Sequence, residues 1–339
     1  MPSKKVFDSL LAKGFRVDLC PYATYDSPAN QDDFEALFSV LSEVRDSNGR
    51  PAVITANTIM TNPNFKKIEE SGFREYCYEM ITDTFQRNFY HFNPLEYYLQ
   101  GLEENIFFPQ YHGREHINIK EWMKQLRDTD SAYRQVFKEG VSWLGSKYNP
   151  PGGINLRATY DTYDAEDINS QKSELKEGLE LFRNIFKLKS ESFIAPNFIL
   201  HPDLYSTLHE NGVHYIQGMK YLIMPKLAAK KRGMQKRIQG QKNRFGQVDL
   251  VRNCEFEPSQ YPQTYDSVGE CMKEIENAFF WKKPAVISAH RLNFIGNIQP
   301  ENRARNLKKF KELLNRITNT WPDIEFMTSV ELGKLMSGR

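Results

Sequence analysis

Amphipathic helices alternate with short β-rich runs along almost the whole chain, and this alternation restricts the fold more than any other feature of the sequence. Apolar residues spaced three and four apart predict helices over 32–44, 118–127, 170–186, 201–211, 265–280 and 302–317. In the first of these Phe34, Leu37, Phe38 and Leu41 face inward, and in the second Ile119, Trp122, Met123 and Leu126 do. Between them, β-branched and aromatic runs predict strands over 51–57, 105–108, 192–195, 213–216, 248–252, 284–288 and 324–327. Strand-helix alternation gives parallel strands with crossover helices. With about seven such units, a (β/α) barrel is expected rather than an open sheet, in one domain over 1–339.

Composition narrows the class. Hydrophobic residues make up 40% and aromatics 13% of the 339 residues, enough for a sizeable core. A net charge of +2 lacks the clustered basic excess of a nucleic-acid binder. No run approaches the roughly 18 apolar residues that span a bilayer. The first residues show no signal-peptide core, so a cytoplasmic location is expected. Cys20, Cys77, Cys254 and Cys271 are far apart and read as reduced thiols. The basic stretch near 226–246, with Lys230-Lys231-Arg232 and Lys236-Arg237, reads as a solvated insertion loop.

In a barrel of this kind, chemistry gathers where strands end. Those ends hold Asn57, the run His112-Gly113-Arg114-Glu115-His116, Asn197, Asn253 to Glu257, and His290 to Asn293. His112 and His116, four residues apart, can turn two imidazoles toward one divalent ion. The same spacing also suits two capping histidines near a helix start. A metal site further needs at least one more protein donor, usually a carboxylate. The run also matches H-x-x-E-H, an inverted metalloprotease pattern with Glu115 as base, but Pro109 and Gly113 suit a loop better than the helix it requires. His290, after an apolar run, is placed for general acid or base work. Arg252 to Glu257 reads either as a supplier of supporting polar groups or as a solvated loop.

Four blocks occur in order: Phe108-Pro109-Gln110-Tyr111-His112-Gly113-Arg114-Glu115-His116, Ser192-Phe193-Ile194-Ala195-Pro196-Asn197, Pro284-Ala285-Val286-Ile287-Ser288-Ala289-His290-Arg291, and Phe326-Met327-Thr328-Ser329-Val330-Glu331-Leu332. Together they resemble a bacterial branch of the polysaccharide deacetylases, the NodB-homology or carbohydrate esterase family four group. The resemblance implies a distorted (β/α) barrel and one divalent metal, zinc. It also implies hydrolysis of N-acetyl (or O-acetyl) groups on a polysaccharide or oligosaccharide. His112 and His116 match the metal histidines, and His290 matches the acid that protonates the leaving amine. Arg114, Glu115, Asn197, Arg291 and Asn293 are expected to bind substrate.

Two departures stand out. The family's adjacent aspartates, base and metal ligand, have no match here: Asp32-Asp33 open a helix as first-turn acids. Ile194 stands where better-known members carry an arginine. The expectation is therefore a barrel without its first strand and a metal site that binds weakly. A non-catalytic carbohydrate-binding protein on the same fold is the alternative, with Tyr111, Phe198 and Phe294 stacking on sugar rings.

Overall fold

The computed structural model describes residues 2–89, 91–150, 153–225, 227 and 232–338. Its strands in chain order are β1 (Ile54–Ile59), β2 (Thr61–Pro63), β3 (Tyr78–Met80), β4 (Phe107–Gly113), β5 (Ser192–Ile194), β6 (Tyr215–Gly218), β7 (Tyr221–Ile223), β8 (Met234–Lys236), β9 (Val248–Val251), β10 (Cys254–Glu255) and β11 (Ile287–Ser288). Five of them form a parallel sheet of order β1-β4-β5-β6-β9, and β10 pairs in parallel with β11. The protein is thus mixed α/β around a central parallel sheet. The amide of Arg252 donates to the Gly218 carbonyl at 2.8 Å, so the β6–β9 ladder runs on toward β10.

A polar seam bends this sheet. Pro109 lies within β4 between strands on both sides, where a residue without an N–H weakens pairing. Gln110 supplies the missing connection through its side chain. Its Oε1 accepts from the Ser192 amide at 2.8 Å and from the hydroxyls of Ser192 (3.0 Å) and Ser190 (3.1 Å). Gln217 Nε2 donates to Ser192 Oγ and to Asn57 Oδ1, both at 3.0 Å. Asn57 is on β1 and Gln217 on β6, with β4 and β5 between them in the sheet. The sheet therefore curls until the first and fourth strands in its order share a hydrogen bond.

Helices cover the outside. Gln31–Glu43, Ser267–Phe280 and Pro300–Thr320 share one apolar cluster, in which Phe34, Leu37, Phe38 and Leu41 are buried as their spacing predicts. Asp167–Phe186 and Leu204–Glu210 build a second cluster against β4 and β5. The long helix comes so close to β4 that a methyl at Gly178 would lie 2.7 Å from Tyr111 Cζ. The helix Ile119–Arg127 buries Trp122, Met123 and Leu126 in a third cluster with N-terminal residues Phe7, Leu10 and Val17.

Several expected boundaries move. β4 extends to Gly113 rather than ending at Phe108, so His112 lies on the strand and not after it. The run 324–327 joins no ladder; Ser47 N donates to the Ile324 carbonyl at 3.2 Å, and Phe326 N donates to Asp46 Oδ2 at 2.9 Å. The stretch near 226–246 holds β8, which pairs antiparallel with β7, and so is not a plain loop. Within it Arg232 pairs with Asp161, and Arg237 is buried against Asp249. Lys226, Lys230 and Lys231 lie outside the described residues. The four cysteines are free thiols. Among the described residues no helix is long and apolar enough to cross a membrane.

Candidate functional site

β4 delivers His112, and the glycine that follows, at φ 130°, turns the chain so that His116 comes back beside it. The two rings are 5.1 Å apart between centroids and nearly perpendicular, at 72°. His112 Nδ1 lies 2.8 Å from the Ile194 carbonyl. A carbonyl only accepts, so Nδ1 carries the proton and Nε2 keeps a free lone pair. This is how a metal-binding imidazole is oriented. His116 Nδ1 is buried with no hydrogen-bond partner among the described residues. Burial, chiefly, pushes the His112 pKa down to about 3, with Arg252, His290 and Arg157 adding to the effect. His116 is driven well below its ordinary value by burial, then by Arg157 and His112. Both rings are therefore neutral ligand-type bases at physiological pH.

A second histidine unit lies within electrostatic reach of His112. His290 follows β11, and its Nδ1 donates to Glu257 Oε1. Glu257 is buried, and its other oxygen accepts from Asn293 Nδ2 at 2.7 Å. Asn293 is itself locked in place: its Oδ1 accepts from Ser259 N at 3.0 Å, and its Nδ2 donates to the His290 carbonyl at 2.9 Å. The Tyr22 ring meets His290 edge-on at 5.4 Å. A carboxylate on Nδ1 fixes the tautomer, leaves Nε2 for proton exchange and stabilises the imidazolium when it forms.

Cations surround both units. Arg157 lies 5.3 Å over the Tyr22 ring and 5.8 Å over the Trp143 ring. Arg252 Nη1 donates to Ser288 Oγ at 3.2 Å. Burial lowers the Arg252 pKa to about 10 against the opposing pull of Glu257. Arg291 makes a two-pronged pair with Asp26, at 2.9 and 3.1 Å. Burial alone would raise Asp26, but the Arg291 guanidinium outweighs it and holds the carboxyl below its usual range.

The sequence-derived candidates separate by place. His112 stands beside His116, and His290 is near enough to His112 for its charge to lower that imidazole's pKa. Asn293 is fully buried and positions Glu257. Arg291 is engaged by Asp26. Arg114 turns toward the helix Asp167–Phe186, where it pairs with Glu115 and Glu177. Glu115 is 1% exposed, and its oxygens are held by Arg114 and the Thr61 hydroxyl. The continuous helix required by the inverted protease pattern is absent from 112–116, since His112 is on a strand. Asn197 sits in a tight turn after β5 at φ 54°. Tyr111 and Phe294, expected as sugar-stacking rings, are buried in the core.

Glu257, Tyr22, Asp26 and Arg157 complete the site, and only Glu257 lay in a stretch singled out from sequence. Tyr22 and Asp26 belong to a short helical corner with no strand before it among the described residues, so no topological rule marks them. Arg157 sits in a long irregular segment. Its mark is local: Asn118 N donates to the Leu156 carbonyl at 2.8 Å and Thr159 Oγ1 to the Glu115 carbonyl at 3.0 Å, which binds the segment to the His116 turn.

For a divalent ion, the two imidazoles fit two ligand positions. Among the described residues no group of three His, Cys, Asp or Glu side chains is arranged to hold a metal. The pair is one donor short of the three that a catalytic zinc site takes from protein. Neither a scan against protein-family models nor a search of curated proteins returned a match.

Proposed function

We propose that this chain is a metal-dependent hydrolase of the polysaccharide deacetylase type, on a distorted (β/α) barrel, removing N-acetyl (or O-acetyl) groups from a glycan. The observation that carries the reading is the meeting of His112 and His116, each neutral, with the His290–Glu257 pair. His112 and His116 would hold the metal, zinc in this reading. When bound, the ion lowers the pKa of a water and polarises the acyl oxygen. His290 carries a proton on Nε2 to the leaving nitrogen, while Glu257 stabilises its cationic form and Asn293 keeps Glu257 aimed. With two protein donors, metal affinity is low. Acetate release from chitooligosaccharides or a peptidoglycan fragment, with zinc supplied, tests the reading. Zinc-dependent release supports it, and its absence on every N-acetylated glycan removes it.

One observation favours a second reading, a non-catalytic glycan-binding protein: the missing third donor among the described residues. Glycan binding that survives both a chelator and His112→Ala, without acetate release, would select it.

A further inference from the structure

Arg157 is a cation whose guanidinium makes no hydrogen bond or ion pair among the described residues. Two aromatic rings, Tyr22 and Trp143, flank it, and the hydrogen bonds of the Leu156 carbonyl and the Thr159 hydroxyl hold it beside the His116 turn. Arg252 enters from β9 with one side-chain hydrogen bond, to Ser288 Oγ. The carboxylates nearby are already engaged: Glu257 by His290 and Asn293, Asp26 by Arg291. The site thus holds guanidinium donors in excess of acceptors. Both arginines are half-buried, so their unpaired guanidinium edges stay within reach of a ligand arriving from solvent. A guanidinium lying against flat rings is paired through its edge, and that fork matches the two oxygens of a carboxylate.

We propose that Arg157 and Arg252 form a carboxylate-binding site beside His112 and His116. The acid has two possible sources, a small acid of the acetate type or the acid group of a sugar such as a uronate. The site is shared with the deacetylase reading, but the inference rests on the arginines and needs no turnover.

The test is calorimetric titration of the full chain with acetate and, separately, with glucuronate, using chloride at matched ionic strength as the control. Arg157→Gln, Arg157→Lys and Arg252→Gln are titrated alongside, each checked for fold by circular dichroism. Saturable binding of at least one acid is expected, weakened about tenfold or more by either glutamine substitution and less by lysine. Binding of acetate identifies a small acid as the ligand; binding of glucuronate alone identifies a sugar acid. If neither acid binds saturably, or folded Arg157→Gln and Arg252→Gln bind as the wild type does, the inference is overturned. A protein that binds acid but releases no acetate from any N-acetylated glycan would end the deacetylase reading and leave this one standing.

Discussion

His290 and Glu257 share a hydrogen bond between Nδ1 and Oε1, although thirty-three residues separate them, because β10 and β11 run side by side. The bond points Nε2 of His290 away from Glu257 and fixes its tautomer. In a glycan deacetylation assay, Glu257→Gln should lower kcat roughly a hundredfold and leave KM nearly unchanged. An unchanged kcat would reduce Glu257 to a packing role.

Asp33 is an internal tie rather than only a first-turn acid. Its Oδ1 accepts from Gly296 N at 2.9 Å and from Arg303 Nη1 at 2.7 Å, and its Oδ2 closes the capping box with Asn30. Removing it strands a partly buried guanidinium and a buried amide. Asp33→Ala should cost about 3 kcal/mol in urea unfolding. Its exposed neighbour Asp32, 3.9 Å from Arg303, should cost under ~0.5 kcal/mol when changed to alanine.

Glu174 offers a pH test away from the candidate site. Burial, first, and the Glu115 charge, second, raise its pKa to about 7, and the 3.8 Å approach of Arg114 does not reverse this. A carboxyl whose folded pKa lies above its unfolded value of 4.5 binds more protons folded than unfolded. Stability therefore falls as pH rises from the unfolded value through about 7, and the loss persists above. Glu174→Gln should stabilise the protein by about 1–3 kcal/mol at pH 8 and by little at pH 4. Equal effects at both values would contradict the assignment.

Gly178 tests how the long helix seats on β4. A methyl there would overlap the fully buried Tyr111 ring. Gly178→Ala gains helix propensity of about 1 kcal/mol yet should still destabilise by roughly 1–3 kcal/mol overall. Pairing it with Tyr111→Phe, which removes the hydroxyl that the methyl would overlap most but leaves the ring carbons, should recover part of the loss.

Much of this arrangement was legible in the sequence, for identifiable reasons. Helices such as Gln31–Glu43 could be read because their apolar stripe and cap are local signals. The three histidines were found because strand ends concentrate function in parallel α/β folds. The apolar run that predicts β4 ends at Phe108, yet the strand runs on through Pro109 to Gly113. Gln110 restores through its side chain what Pro109 removes, and no local pattern announces that repair. Tyr111 and Phe294 carry no mark of burial in their own neighbourhoods; the helix seated at Gly178 and the cluster around Phe256 and Phe310 enclose them. Arg157 acquires meaning only when its irregular segment folds against the His116 turn.

In the proposed function His112, His116 and His290 serve one reaction centre. The most direct measurement is acetate release from chitooligosaccharides by the wild type, His116→Ala and His290→Ala, with zinc supplied and then chelated. The account predicts slow, zinc-dependent release by the wild type, loss of that dependence together with activity in His116→Ala, and a fall of roughly a hundredfold or more in His290→Ala with zinc binding retained. Release that ignores both histidines, or none by the wild type on any N-acetylated glycan, would contradict it.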